Sequence, residues 1–220
     1  MNRHPRRACL RWIAAAGAAP LLAACANLVD KPQRPVLFDM GPLPSAATPD
    51  RSGARVPPLI IPEIEASGAL DSSVVLYRLG YDDDHQLRAY SLSRWTAPPP
   101  QLVRQRLRER LGRERAVLNQ DEGASIPRGN DSPVQTLRLE LEEFAHVFDD
   151  PQRSRGVLRL RATLLTSSPA GDVLLGQRSI VAESAAPTPD ASGGVRALTA
   201  ATDAAAANIS TWLQQVTRAR

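Results

Sequence analysis

The sequence predicts an α/β protein of the α+β type: a single mixed, mainly antiparallel sheet with two helices packed on one face. A signal peptide and a Pro-rich tether precede it. Three observations carry this expectation. Beyond residue 58, runs of alternating apolar and polar residues recur between polar turns, as half-buried strands do. Two segments, one after Pro98 and one ending the chain, repeat their apolar residues at helical spacing instead. Before residue 58 an Arg-led apolar stretch gives way to a run rich in Pro, Ser, Ala and Gly, and neither can build a core. A sheet covered on one face by helices is the simplest way to bury both sets of apolar residues.

The chain opens with Arg3, Arg6, Arg7 and Arg11, followed by an Ala-rich apolar stretch from Trp12 to Ala24. A bilayer span needs about 20 apolar residues. This stretch is shorter and has the length of a signal-peptide core. Leu22-Ala23-Ala24-Cys25 then forms a lipobox. A lipoprotein signal peptidase requires small residues before the cut, and a thiol just after it to carry the diacylglycerol. Cleavage is therefore expected between Ala24 and Cys25, with Cys25 as the lipidated first residue of the mature chain. Arg6-Arg7-Ala8-Cys9-Leu10-Arg11 also resembles a twin-arginine export pattern, with Cys9 in place of the usual aromatic. Both that route and general secretion are open.

Processing changes the composition. Of 27 basic and 23 acidic side chains, the signal takes four Arg and no acid, so 27 − 4 = 23 basic face 23 acidic residues in the mature protein. The formal charge of +4 belongs to the signal, and nucleic-acid binding is not expected. Cys9 leaves and Cys25 is acylated, which removes any disulfide or Cys/His zinc site from the mature domain.

Ala26 to about Pro58 reads as an extended tether holding the domain off the membrane. Within it, Val36-Leu37-Phe38-Asp39-Met40-Gly41 has the character of a short first strand. Leu59 to Ile64 is the next strand, with Pro62 forcing an edge position or a bulge. Ser73–Leu79 and Gln86–Arg94 make a hairpin across the polar turn from Gly80 to His85. Pro98, Pro99 and Pro100 start a helix whose Val103, Leu107 and Leu111 face inward, and Gly112 ends it. Arg104, Arg106, Arg108 and Arg110 are interleaved, either as a solvated face or as a surface for anionic head groups or an acidic partner.

Ala116–Asn119 is a short strand and Asp121–Pro133 a loop. Leu137, Leu139 and Leu141 alternate with charged residues, while Phe144 and Phe148 stand on the opposite parity. A β-bulge near Glu142–Glu143 accounts for the switch. Val157–Leu165 and Val173–Ala182 complete an antiparallel meander. Val195, Leu198, Ala205, Ile209, Leu213 and Val216 form the stripe of a long C-terminal helix.

No nucleophile elbow, phosphate loop or dinucleotide fingerprint occurs. Asp82, Asp83 and Asp84 read as the solvated tip of the hairpin rather than a cation site, with His85 exposed beside them. His146 falls in a strand, facing solvent or satisfied within the sheet, and Glu140, Glu142 and Glu143 read as a solvated strand face. Trp95 either closes the core or anchors a partner. The expectation is a non-enzymatic protein with no metal and no cofactor.

The layout as a whole resembles a known family. A lipobox Cys, a short strand over Leu37–Gly41 and an Ile-Pro strand are followed by the hairpin Val74–Arg78 to Leu87–Tyr90 and on into Ser93-Arg94-Trp95. A helix, long paired strands and an Ala-rich closing helix complete it. This is similar to the ABC-type transport auxiliary lipoprotein family, the PqiC/YmbA-like lipoproteins, across essentially the whole mature chain. Tyr77, Arg78, Tyr90, Arg94 and Trp95 are the most specific part, as family-signature and possible interaction residues. The chain departs from the family in placing Thr96-Ala97-Pro98-Pro99-Pro100 where a polar or acidic helix start is usual.

The resemblance implies a domain over 58–220, after a signal peptide at 1–24 and a lipidated tether at 25–57. It also implies an auxiliary role at the inner face of the outer membrane, facing the periplasm, with an MCE-type protein and an ABC transporter permease as partners. Lipids or other hydrophobic compounds would be the cargo, and a homo-oligomer is a further possibility. Ala26, in place of the Asp that favours inner-membrane retention, agrees with outer-membrane delivery. Docking would use sheet edges or the hairpin tip. The competing expectation is a lipoprotein cofactor of envelope assembly, activating a peptidoglycan synthase or helping lipopolysaccharide delivery.

Overall fold

A computed structural model of the chain describes residues 33–43, 56–66, 68–124, 134–168 and 171–218. The signal, Cys25 and most of the expected tether lie outside the described residues, as do residues 125–133 of the expected loop. Among the described residues there are nine strands in one mixed sheet and three helices. In chain order the strands are β1 (Val36–Phe38), β2 (Leu59–Ile60), β3 (Glu65–Ala66), β4 (Val74–Leu79), β5 (Leu87–Trp95), β6 (Val117–Leu118), β7 (Gln135–Phe148), β8 (Ser154–Ser168) and β9 (Gly171–Ala185). The helices are α1 (Pro99–Leu111), α2 (Gln120–Ala124) and α3 (Ala191–Arg218).

Strand β7 organises the sheet. One of its edges runs antiparallel to β8 for its whole length, from Gln135↔Thr166 to Phe148↔Ser154. The other edge is shared end to end by three short parallel strands: β2 at Gln135–Thr136, β3 at Glu140–Leu141 and β4 at His146–Phe148. Beyond β4 lie β5, antiparallel, and then β1, parallel to β5. β9 pairs with β8 and forms the opposite edge.

The expected bulge is present as a register shift between Leu141 and Glu143. It hands the inward direction from Leu137, Leu139 and Leu141 to Phe144, and all four are buried. The strand expected over Leu59–Ile64 is broken by Pro62, which has no N–H for the ladder. Only Leu59–Ile60 of it is strand, as β2, and the chain rejoins β7 beyond the expected range, as β3 at Glu65–Ala66. β2 is not an edge, because β6 lies on its other side. The loop expected from Asp121 begins instead inside the short helix α2, whose entry is closed by Glu122 accepting the Asn119 amide at 2.6 Å.

Helix α1 starts as expected, with Pro98 capping and Pro99 and Pro100 in the first turn, and Gly112 follows its end in right-handed rather than left-handed conformation. Val103, Leu107 and Leu111 are fully enclosed. Full burial of each leucine contributes about 2 kcal/mol. The interleaved arginines depart from both sequence expectations: Arg106 alone is buried, but all four donate to acceptors within the fold. Arg106 is 5% exposed and grips Asp203 of α3 bidentately, Nε to Oδ1 at 2.7 Å and Nη2 to Oδ2 at 2.8 Å. Its Nη1 donates to the Gly41 carbonyl at 3.0 Å. Arg110 joins Asp203 from the next turn at 2.8 Å. Arg104 donates to the Ile61 carbonyl just past β2 and Arg108 to that of Leu118 in β6, so α1 is stapled to the β2–β6 pair. The two arginines hold the Asp203 carboxyl below the usual carboxylate range against the opposing effect of burial.

Helix α3 lies on the same face and crosses β7, β8 and β9. Asp190 caps it, accepting the Gly193 amide at 2.7 Å. Its buried face is mostly small residues, Gly, Ala, Ser and Thr, with Val195, Leu198, Ile209, Trp212 and Leu213 among them, so its backbone comes down on the sheet. At Gly156 of β8 a Cβ would stand 2.4 Å from the Leu198 amide nitrogen and 2.5 Å from the Ala197 carbonyl carbon. That contact is with backbone and cannot be relieved by a rotamer change.

Two outcomes follow. Gly156→Ala is expected to destabilise the domain by about 3 kcal/mol in urea unfolding, because helix and sheet must separate. Arg106→Ala should cost about 2 kcal/mol, because Asp203 keeps only Arg110 and the Gly41 carbonyl loses its donor. The paired replacement Arg106→Met with Asp203→Leu should cost clearly less than the single change in the same assay.

Candidate functional site

The signature residues converge on the junction of β4, β5 and β7, but they do not form one cluster. Between Leu76↔Ala89 and Val74↔Arg94, β5 carries three more residues than β4. The bulged segment frees carbonyls from the ladder, and the Arg94 guanidinium collects them. Its Nη1 donates to Tyr90 at 2.7 Å, Ser93 at 2.8 Å and Ser91 at 3.3 Å. Beyond the bulge Trp95 turns into the core, 2% exposed and 5.6 Å from Phe144, ring centre to ring centre. Arg78 donates to the Asp84 carbonyl and braces the hairpin turn.

Tyr77 and Tyr90 do come together, with ring centres 4.5 Å apart. Two residues the sequence alone did not single out as partners complete this cluster. Phe148 packs edge-on to Tyr77 at 6.2 Å, and His146 lies 4.5 Å from Phe148. His146 is fully buried, and its Nδ1 shares a 2.9 Å hydrogen bond with the Tyr90 hydroxyl. Its Nε2 has no partner among the described residues. The ring lies flat on the first turn of α3, where a Cβ at Gly194 would meet it at 2.4 Å. Burial pulls the His146 pKa down to about 4, with Asp190 opposing, and burial raises that of Tyr90. A neutral imidazole locked between aromatics is chemically a joint between sheet and helix. The signal for it was present in the sequence as a polar residue between Phe144 and Phe148, on their parity.

The hairpin tip holds Asp83, Asp84 and His85 with ligand atoms within 4.8 Å of one another. The Asp83 carboxylate is already occupied by the His85 amide at 2.9 Å, the main cause of its lowered pKa. The face of the sheet away from the helices is a lattice of cross-strand ion pairs. Arg161 meets Glu140 at 3.3 Å and also Glu142, Arg159 meets Glu143 at 3.5 Å, and Arg155 meets Glu183 at 3.1 Å. The expected solvated glutamates are thus paired with the next strand. Beside them Val147 and Val157, which pack with Ala145 in a small apolar group, line a groove of about 580 Å³ rimmed by Arg78, Tyr81 and Arg155. No helix among the described residues is long and apolar enough to cross a membrane.

The His146 environment generates a pH dependence. A histidine near 6.5 when unfolded and about 4 when folded binds protons more readily in the unfolded chain. Its contribution is complete above pH 6.5 and is lost as pH falls toward 4. Stability followed between pH 7 and 4 should drop by about 3 kcal/mol from this group, and His146→Phe should flatten that part of the profile.

The described domain resembles solved structures at low identity. Protein XCC0632 from Xanthomonas campestris superposes with a TM-score of 0.63 at 16% identity, over 83% of this chain and 97% of that one. An uncharacterized protein of known crystal structure gives 0.53 at 17% identity, over 82% and 99%. Both show a shared fold. A comparison with curated proteins found no match. The family model for the ABC-type transport auxiliary lipoprotein component matches residues 38–210, from the end of β1 into the last turns of α3. The chain belongs to the ABC-type transport auxiliary lipoprotein family.

Proposed function

We propose that this chain is a lipid-anchored docking component of an envelope transport system that moves lipids or other hydrophobic compounds, and that it performs no catalysis itself. The family match over residues 38–210 carries the reading. Cleavage before Cys25 and acylation of its thiol supply the anchor, with Leu22, Ala23 and Ala24 as the recognition sequence. Ala26 supports delivery to the outer membrane, where the domain faces the periplasm. Its partners in this reading are an MCE-type protein and an ABC transporter permease, with a second copy of the chain as a further candidate.

The surface suits docking. β9 offers 15 residues of sheet edge with β8 on one side only among the described residues, an arrangement open to strand addition. Asp172, Arg178 and Glu183 along it are charged and guard it against indiscriminate pairing. Trp95, Arg78 and Arg94 serve the fold in this reading, and partner contact falls to the edge and the hairpin tip.

Full-length protein extracted in mild detergent from its own bacterium should co-purify with an MCE-type protein and a permease. Recovery of a peptidoglycan synthase or a lipopolysaccharide-delivery protein in their place would transfer the chain to envelope assembly. Cys25→Ser should abolish incorporation of labelled palmitate and release the protein from the membrane fraction.

A further inference from the structure

Strand β1 is the edge of the sheet nearest in sequence to Cys25, and it carries apolar side chains into solvent. Val36 is 56% exposed and Leu37 65%. Leu37 pairs with Arg94, and two residues before Arg94 on the same strand stands Leu92, 42% exposed. Arg34, just ahead of β1, is exposed as well. The three apolar residues lie on the two outermost strands of that side of the sheet.

The hydrogen bonds of β1 to β5 shorten the leash. The Pro-rich stretch extends to about residue 58, but the chain is already held in the sheet at Val36. Only eleven steps separate Cys25 from Val36. Fully extended, they reach at most about 40 Å, roughly the width of a folded domain of this size. An acylated Cys25 therefore holds β1 within about 40 Å of the bilayer, and β1 is the described strand nearest to it along the chain. At that proximity an apolar patch too small to bind lipid unaided makes contact because its partner is always at hand. The edge formed by β9 also shows apolar residues, Val173, Leu174 and Val181, but it lies at the other end of the strand order.

We propose that the β1–β5 edge is the membrane-facing surface of the domain, with Val36, Leu37 and Leu92 resting in the head-group region of the phospholipid leaflet that holds Cys25. The proposal rests on the lipid-anchor reading above, and it leaves the β9 edge turned toward the periplasm and its partners.

After processing, the mature chain has no cysteine besides Cys25, so a single introduced cysteine can be labelled uniquely. The test uses the lipidated full-length protein reconstituted in vesicles of phosphatidylethanolamine and phosphatidylglycerol. An environment-sensitive fluorophore is placed by Leu37→Cys, by Leu92→Cys or, as the distant control, by Val181→Cys. Flotation of the vesicles reports the anchor, and quenching by head-group-proximal spin-labelled lipid reports the surface. The expected result is co-flotation of all three, with a blue shift and severalfold stronger quenching at 37 and 92 than at 181. Adding Val36→Asp to the 37 and 92 variants should weaken that quenching without changing flotation.

Co-flotation with equal quenching at all three positions overturns the proposal and leaves the anchor standing. A blue shift at 37 and 92 without lipid quenching overturns it in favour of a second copy of the chain on this edge. Failure to float overturns the anchor and the proposal with it.

Discussion

Everything in this domain hangs on the double use of β7. Its antiparallel edge is consumed by β8 over 13 register pairs, while its other edge is divided among three short parallel strands that have few other partners. Two-residue strands such as β2 and β3 cannot persist alone, because fixing their backbones costs more than a pair of hydrogen bonds returns. They exist because β7 presents a preformed ladder. The bulge at Leu141–Glu143 makes this possible, since without it the aromatic half of β7 would point its Phe and His side chains at solvent.

The second dependency is the linkage of the two long helices. α3 holds one carboxylate, Asp203, within 28 residues, and α1 delivers two guanidinium groups to it. A buried arginine left unpaired would be a heavy penalty, so this contact selects one packing of α1 on α3 among those the small residues would allow. With both helices committed to one face, the other face has only strands to cover it. Cross-strand ion pairs keep that face soluble. The resulting domain has a sealed side, a charged side and two sheet edges of different character.

Much of this was legible in the residues. Alternation identified the long strands, and the parity change between Leu141 and Phe144 announced the bulge, since period 2 cannot be broken without an extra residue. Three prolines and a following glycine bounded α1. The signature around Tyr77, Tyr90 and Trp95 led to the family that the match over residues 38–210 also gives. Less legible was what those residues touch. Arg94 stands in the signature as a possible interaction residue, and in the fold it gathers the carbonyls of a bulge. His146 looked like an ordinary strand histidine and proved to be clamped between Tyr90, Phe148 and Gly194.

The sequence by itself determined the α+β class, the order and type of the long elements and the family. These follow from local periodicity, composition and chain order, which act over a few residues and need no knowledge of what lies across the fold. Only the tertiary structure decided that Arg104 and Arg106 of α1 reach distant partners, that β2 is an inner strand, and that β1 is bonded into the sheet. Each depends on a partner 40 to 100 residues away: Arg106 lies 97 residues from Asp203, and Arg104 lies 43 from the carbonyl it meets. A charged side chain reads as solvated until a distant counter-ion is brought to it, and folding alone supplies that distance.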